Sequence, residues 1–370
     1  MKFSGKKEDL VKALAIVLPV VGNMEIMSHI LLKIGEDGKA KIMATNIENS
    51  VETPVTLEKS DTGTVCIPAK KLYEIVREME GTVTVTCDDS NATIKCGKSV
   101  FKLKCLKPDD FPQPAAVENV FSVSMPVDEI ADMIGRTITA AGEPETKVLN
   151  SLLFDFKAKE GSKTGVLFVV GTNGHRLMLA GKAVEVNENR QFIVPKRALE
   201  FIKGLLSGED KMTLSFDLRS ARFNLPNGTC FTTRLMEGSY PAYGSVLPKE
   251  CNTTVEINRE ELIKALRRVS IISKGRVVTL ELKTNSLQLS SEEKDLGESK
   301  DEIAAQYEGE AFKAIFNMRY ILDALSVMQD EKAKLLFNTK CSTGGSIFTP
   351  MLIREDGRPD FGCVAMPMRQ

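Results

Sequence analysis

The sequence predicts an α+β chain of three similar domains, each with two helices packed on antiparallel sheets. Three observations carry this. A strand-then-helix pattern with acids at the helix start occurs three times. A second helix start recurs once in each copy. Between the helices lie short alternating runs separated by Gly, Asn and Asp turns, which is a hairpin pattern.

The first pattern reads Phe3 with Glu8-Asp9-Leu10, then Val123 with Asp128-Glu129-Ile130, then Val255 with Glu260-Glu261-Leu262. In each copy the first residue stands seven before the aliphatic one, and the copies are offset by 120 and 132 residues. Acids in a first helical turn suit the positive end of the helix dipole, so each copy is expected to be a strand entering a helix. The second pattern is Cys66-Ile-Pro-Ala-Lys-Lys-Leu and Ile193-Val-Pro-Lys-Arg-Ala-Leu, with Pro68 and Pro195 expected at the first helical position. Its third copy is Phe316-Asn-Met-Arg-Tyr-Ile-Leu, with Asn317 expected as N-cap. Lys70, Arg197 and Arg319 share one repeat position.

The strand runs are Thr82–Cys87, Ala92–Cys96, Met212–Phe216, Arg222–Leu225, Val277–Leu282 and Leu287–Ser290. Thr45-Asn46 lies 127 residues before Thr172-Asn173, and Leu106 with Phe111-Pro112 lies 129 before Leu235 with Tyr240-Pro241. Boundaries are expected near Pro114–Asn119 and Pro248–Asn252, giving domains 1–119, 120–249 and 250–370.

At 370 residues, 42% apolar and 27% charged, the chain suits two or three globular domains. Its net charge of −1 gives no bulk sign of a nucleic-acid partner, but a basic face can be balanced by an acidic one. No apolar run approaches the ~18 residues of a membrane span, and no signal-peptide core is evident, so a cytoplasmic protein is expected. The eight cysteines form no C-x-x-C pair and only two histidines are present, so reduced packing thiols are expected and neither a metal nor another cofactor.

Two stretches could carry chemistry. A cation in a first helical turn opposes the helix dipole by ~0.3–1 kcal/mol. Lys70, Arg197 and Arg319 are therefore either ordinary solvated cations or cations presented to one extended anionic partner such as duplex DNA. The run Thr172-Asn-Gly-His-Arg-Leu177 reads as a hairpin whose two turn residues, Asn173 and Gly174, both take positive φ. His175 beside Arg176 could be a general base next to an anion binder. No nucleophile motif or orienting carboxylate accompanies it, so a structural or docking role is the better reading. The acidic run Glu292–Glu302 does not fit a calcium loop and reads as a solvated loop. Met366 and Met368 at the chain end suit either core or an adaptable apolar docking surface.

Taken together, these residues resemble the bacterial DNA polymerase III β subunits, the sliding clamps. The resemblance rests on Thr172–Leu177, Glu237-Gly-Ser-Tyr-Pro-Ala-Tyr243 with Val246-Leu-Pro248, and Met366-Pro-Met-Arg369. Met1-Lys-Phe-Ser, Val194-Pro-Lys-Arg197 and Pro350-Met-Leu-Ile-Arg354 add to it, so it spans the whole chain in order. It implies a non-catalytic processivity factor, a head-to-tail homodimer closing a ring around double-stranded DNA, with helices lining the hole. DNA contacts are then expected from Lys70, Lys196, Arg197 and Arg319. It also implies a pocket for short motifs of the DNA polymerase III α subunit, the clamp loader, other DNA polymerases and repair proteins. Carried over by motif, the walls would be Leu149, Thr172, Gly174, His175, Arg176, Leu177, Pro241, Val246, Val364, Met366, Pro367, Met368 and Arg369. The chain departs from the family pattern at Asn173, usually Asp, at Ser245, usually Arg, and at Gln370, usually aliphatic. Of two loops expected to face DNA, Val21–Glu25 lacks the Arg often found there and Gly142–Thr146 is acidic where the family commonly has polar or basic residues, which also allows a clamp-like scaffold that no longer loads on DNA.

Overall fold

The repeat seen in the sequence becomes a repeat of sheets. The computed structural model describes residues 1–88, 90–113, 120–273, 276–343 and 345–368. Six α-helices occur among them: α1 (Lys7–Val17), α2 (Ala69–Arg77), α3 (Val127–Thr137), α4 (Lys196–Lys203), α5 (Arg259–Val269) and α6 (Met318–Ser326). Each follows directly on a strand, two helices to a repeat. The helices α1 and α5 show why: Leu10, Ala13, Leu14 and Val17 in one, and Leu262, Ala265, Leu266 and Val269 in the other, recur at helical spacing and are buried. Asn317 caps α6 by accepting from the Arg319 N–H, as expected, and Asn258 caps α5 through the Glu261 N–H.

Three expectations need correction. Pro68 and Pro195 end the preceding strands, and their helices begin one residue later; at Pro68 a ψ of 113° is extended, so proline occupies the cap. The acidic run Glu292–Glu302 is no loop. It forms an antiparallel hairpin, Ser286–Glu293 paired with Gly297–Ala304 from Ser286↔Ala304 to Glu293↔Gly297. Its charged residues are tolerated because Gly297–Ala304 is an edge strand with most side chains in solvent. The third correction, to the turn at Asn173, belongs to the site below. The expected boundary at Pro114–Asn119 lies outside the described residues.

The chain divides into two compact units that do not follow the repeats: Met1–Asp128 with Glu200–Leu235, and Glu129–Leu199 with Met236–Gln370. Each contains an eight-stranded antiparallel sheet shared by two repeats. In the first unit the order is Gly63–Pro68, His29–Ile34, Ala40–Thr45, Asn49–Val55, then Cys230–Arg234, Ser220–Asn224, Lys211–Phe216, Phe121–Pro126. In the second it is Arg190–Pro195, Ser151–Lys157, Thr164–Thr172, Arg176–Glu185, then Phe361–Ala365, Met351–Arg354, Lys332–Phe337, Thr253–Asn258. The two orders correspond strand for strand, so the middle repeat gives one half-sheet to each unit. A five-stranded sheet ending on Ser99–Lys104 completes the first unit, and a six-stranded sheet ending on Gly297–Ala304 the second.

In the second unit a buried ion network also ties the two repeats. Arg136 on α3 donates to Glu355 at 2.5 Å and to Asp132 at 2.8 Å, and its side chain is 3% exposed against 0% for Glu355. Burial opposes the charge of Arg136, and the hydrogen bonds to Asp132 and Glu355 more than offset it. Glu355 also accepts the Gln329 and Asp330 N–H groups at 2.7 and 3.0 Å, so each of its oxygens is engaged. Removing one partner of such a pair leaves a buried uncompensated charge. Arg136→Met is expected to lower unfolding stability by about 3 kcal/mol in urea titration, and a loss under ~1 kcal/mol would show that the pair does not brace the unit.

Candidate partner-docking site

Three segments far apart in sequence meet at one end of the second unit's eight-stranded sheet. Thr164–Thr172 and Arg176–Glu185 form a hairpin whose last pair before the turn is Thr172↔Leu177. The outer side of Arg176–Glu185 pairs with Phe361–Ala365, Arg176 opposite Ala365 and Leu177 opposite Val364. The chain end then continues the ladder, Met366 N–H donating to the His175 carbonyl at 3.0 Å, and Met368 N–H donates to the Ile315 carbonyl at 2.8 Å.

The turn is a four-residue loop, 173–176, and only Gly174 has a positive φ (86°). The two-residue turn expected from Asn173-Gly174 does not form because side chains close the loop instead. Asn173 Oδ1 accepts from both the His175 and Arg176 N–H groups at 3.0 Å. Thr172 Oγ1 donates to the Arg176 carbonyl at 2.6 Å and accepts from Gly174 N–H at 3.1 Å. This arrangement leaves Gly174 and His175 exposed at the tip and buries Thr172, Arg176 and Leu177.

Arg176 locks the loop to α6. Its guanidinium donates to Asp323 at 2.5 Å and to the Thr139 carbonyl, and it lies 4.7 Å from the Tyr320 ring centre. Asn173 Nδ2 donates to the Tyr320 hydroxyl at 3.3 Å. A buried arginine engaged on a carboxylate, a carbonyl and a ring face is a positioning group. No carboxylate or nucleophile is hydrogen-bonded to the exposed His175 ring among the described residues, so the geometry offers no proton relay.

Beneath the loop sits an apolar cluster of Leu153, Val170, Leu177, Ile193, Leu352 and Val364. Val148, Met236, Tyr240, Tyr243, Val246 and Leu247 pack on it while staying partly exposed. Burial raises the phenols of Tyr240 and Tyr243 above their ordinary range, so both stay protonated and donate, Tyr240 to the Val170 carbonyl at 3.1 Å and Tyr243 to Asp155 at 2.8 Å. Cys363 lies under the same strands, and burial pushes its thiol up to about 12, which leaves it a packing group. Seven cysteines among the described side chains are free, and Cys66, Cys87 and Cys363 of them are buried.

The structure thus brings Thr172, Gly174, His175, Arg176, Leu177, Val246, Val364 and Met366 to one region. Pro367 and Met368 follow there half-buried, and Pro241 is exposed beside Tyr240. Leu149 is half-buried with its carbonyl accepting from Gly142 at 2.7 Å, and Val148 is the neighbour that packs on the cluster. Arg369 and Gln370 lie outside the described residues. Ser245 is exposed and turns its hydroxyl back on the Ala242 carbonyl at 2.7 Å. Sequence reasoning missed Tyr320, Asp323 and Thr139, because nothing in the hydrophobic pattern says which loop α6 meets.

Lys70, Arg197 and Arg319 occupy the second residue of α2, α4 and α6, all exposed, and half-buried Lys196 opens α4. Arg319 is loosely neutralised by Asp323 at 3.7 Å. Within α2, Lys70, Lys71 and Arg77 accompany one acid, Glu74, which pairs with Lys71, while Arg77 pairs with Glu78 just beyond the helix; within α4, Lys196, Arg197 and Lys203 accompany one acid, Glu200. No helix of the described residues is long and apolar enough to cross a membrane.

The Asn173 carboxamide supplies its two loop contacts through its oxygen, which an aspartate would also present. Asn173→Asp is therefore expected to change stability by less than ~0.5 kcal/mol, and Asn173→Ala to cost about 1 kcal/mol by orphaning two N–H groups, both read by thermal unfolding. Equal losses in the two variants would show that the loop depends on something else.

Comparison with known proteins gives one answer along the whole chain. Residues 1–115 match the N-terminal domain of the DNA polymerase III β subunit, 124–242 its central domain and 244–369 its C-terminal domain. The beta sliding clamp of Haemophilus influenzae is 30% identical over 382 residues, with all of both chains covered, and that of Pseudomonas putida is 28% identical over 381. The crystal structure of the Pseudomonas aeruginosa DNA polymerase III β subunit superposes with a TM-score of 0.92 at 25% identity, and the Caulobacter crescentus protein with 0.90 at 27%, each over the full length of both chains. The chain belongs to the DNA polymerase III β-subunit family, the DNA sliding clamps, which act as non-catalytic processivity factors of the replicative polymerase.

Proposed function

We propose that two copies of this chain close head to tail into a ring around duplex DNA, and that the Thr172–Leu177 loop and the Val364–Met368 chain end form the pocket through which partners are tethered. The observation that carries the tethering is the meeting of three distant segments over a half-open apolar cluster, fixed in place by Arg176. Apolar walls with a few locked polar groups suit a short peptide with aliphatic or aromatic anchors. The partners are the DNA polymerase III α subunit, other DNA polymerases, repair proteins and the clamp loader, which opens the ring. Leu149, Pro241 and Pro367 would complete the pocket rim; Arg369, assigned to it by motif, lies outside the described residues.

Ring closure is supported by two unpaired sheet edges of opposite charge. Ser99–Lys104 carries Lys102 and Lys104 and exposes Val100 (58%) and Phe101 (44%). Gly297–Ala304 carries Glu298, Asp301 and Glu302 against one cation, Lys300, which pairs with Glu298, while Asp301 pairs with Arg268, and Leu296 beside it is 50% exposed. Pairing one edge with the other across two copies would satisfy both ladders and repeat until the ring closes. The basic starts of α2, α4 and α6, with Lys70, Lys196, Arg197 and Arg319, would face the DNA. Cations without base-reading contacts hold a duplex and still let the ring slide. The protein would work in the cytoplasm.

The double change His175→Ala with Met366→Ala tests the pocket. It is expected to weaken binding of a peptide from the C-terminus of the polymerase III α chain more than about tenfold, while the protein still sediments at twice its 40.7 kDa chain mass. Undiminished peptide binding would place the pocket elsewhere, and a strict monomer at micromolar concentration would sink the ring.

A further inference from the structure

The first unit carries the repeat image of the docking site, with its chemistry changed. Thr45↔Ser50 closes a four-residue loop, 46–49, as Thr172↔Leu177 does in the second unit. The same side-chain hydrogen bonds hold it: Asn46 Oδ1 accepts from Asn49 N–H at 2.8 Å, Thr45 Oγ1 donates to the Asn49 carbonyl at 3.0 Å, and Ile47 N–H donates to Thr45 Oγ1 at 3.2 Å. Arg234 N–H donates to the Glu48 carbonyl at 2.8 Å, as Met366 N–H does to His175. The strand pair Leu177↔Val364 has its counterpart in Ser50↔Thr232.

This loop is not a relic smoothed over. A cavity of about 340 Å³ opens at it, lined by Thr45, Ile47, Glu48, Ser50, Arg219 and Thr232 among others. Where Gly174 takes a positive φ, Ile47 takes one of 77° and is 68% exposed. A β-branched residue there is strained by about 1–2 kcal/mol, and nothing in the fold needs its side chain in solvent. Leu218, next to Arg219 in the turn held by Asp217, is 98% exposed. Phe111 stands where Tyr240 stands in the other unit and is buried (3%), packed with Leu31, Met43 and Cys66, so the apolar well is filled. What remains is a hydroxyl-lined floor, two exposed arginines, Arg219 and Arg234, and the aliphatic Ile47 at the rim.

We propose that this is a second docking site, for a short peptide segment that carries a carboxylate beside an aliphatic side chain. The carboxylate would meet Arg219 over the Ser50 and Thr232 hydroxyls, and the aliphatic group would lie on Ile47. Glu48 opposes any anion alike, but a free phosphate gains nothing from Ile47, so the mixed lining favours a peptide that adds an aliphatic contact to the ionic one. The proposal rests on reading the second unit's site as a peptide pocket, since it takes that geometry by internal symmetry.

The test uses the full chain and a fluorescein-labelled hexapeptide, Gly-Gly-Val-Asp-Gly-Gly with blocked ends, whose single small aliphatic side chain gives the first site's apolar walls little to hold, read by anisotropy. Arg219→Glu is expected to weaken binding about tenfold, and Ile47→Gly several-fold without lowering the thermal midpoint, since glycine relieves the strain. His175→Ala with Met366→Ala should leave this peptide's affinity unchanged. The proposal is overturned if Arg219→Glu binds as well as the parent or if the hexapeptide does not bind. It also fails if only the His175 and Met366 changes matter, or if inorganic phosphate at equal concentration displaces the peptide. The polymerase α-chain peptide, run in parallel and sensitive only to His175 and Met366, tests the first site independently.

Discussion

The strand pairing between repeats, Arg176–Glu185 with Phe361–Ala365 and Asn49–Val55 with Cys230–Arg234, is the constraint on which the rest of this structure depends. Each pairing turns two four-stranded half-sheets into one sheet of eight. A ladder cannot slip by one residue without turning every side chain to the opposite face, so the register is held by the buried residues on both sides. The same pairing delivers the chain end to the hairpin loop and stacks Leu177 against Val364. The meeting of loop and chain end is therefore a by-product of how the repeats are joined, which explains why an image of that arrangement appears at the other junction.

What differs between the two junctions is chemistry at a handful of positions. In the second unit an apolar pair, Leu177 and Val364, floors the site, and Arg176 pins the loop to α6. In the first unit Ser50 and Thr232 take the floor, and Asn49 stands in the place of Arg176. Burial of a Leu or Val side chain contributes about 1.5–3 kcal/mol, whereas a hydroxyl pair there contributes only through hydrogen bonds. One scaffold thus presents an apolar surface at one junction and a polar one at the other. The buried Arg136–Glu355 pair adds a second tie between repeats, and its burial shields it from screening by salt.

Much of this is legible in the sequence, for reasons that can be named. The threefold repeat persists because helices need an apolar stripe whatever else drifts, and α1, α3 and α5 keep both the stripe and the acids. The offset of 127 residues between Asn46 and Asn173 marks a real structural identity, since both side chains close the same loop. The turn type is misjudged from sequence because Asn-Gly propensity is local, while the loop is set by Thr172, Asn173 and the strand beyond. The Glu292–Glu302 strand escapes sequence reading because its charge hides a period-two pattern that an edge strand does not need. Tyr320 and Asp323 cannot be found that way at all: their role exists only once α6 is placed against the loop.

The central claim is that this chain holds DNA by enclosing it, with cations on α2, α4 and α6 that graze the backbone without reading it. Labelled protein loaded by a clamp loader onto nicked circular duplex, then challenged with high salt before and after linearisation, tests that claim most directly. Enclosure predicts that the protein stays on the circle through the salt wash and leaves once an end is cut. Release from the intact circle, or retention on the linear form, would mean that contact alone holds it, because phosphate contacts weaken with salt and ignore topology.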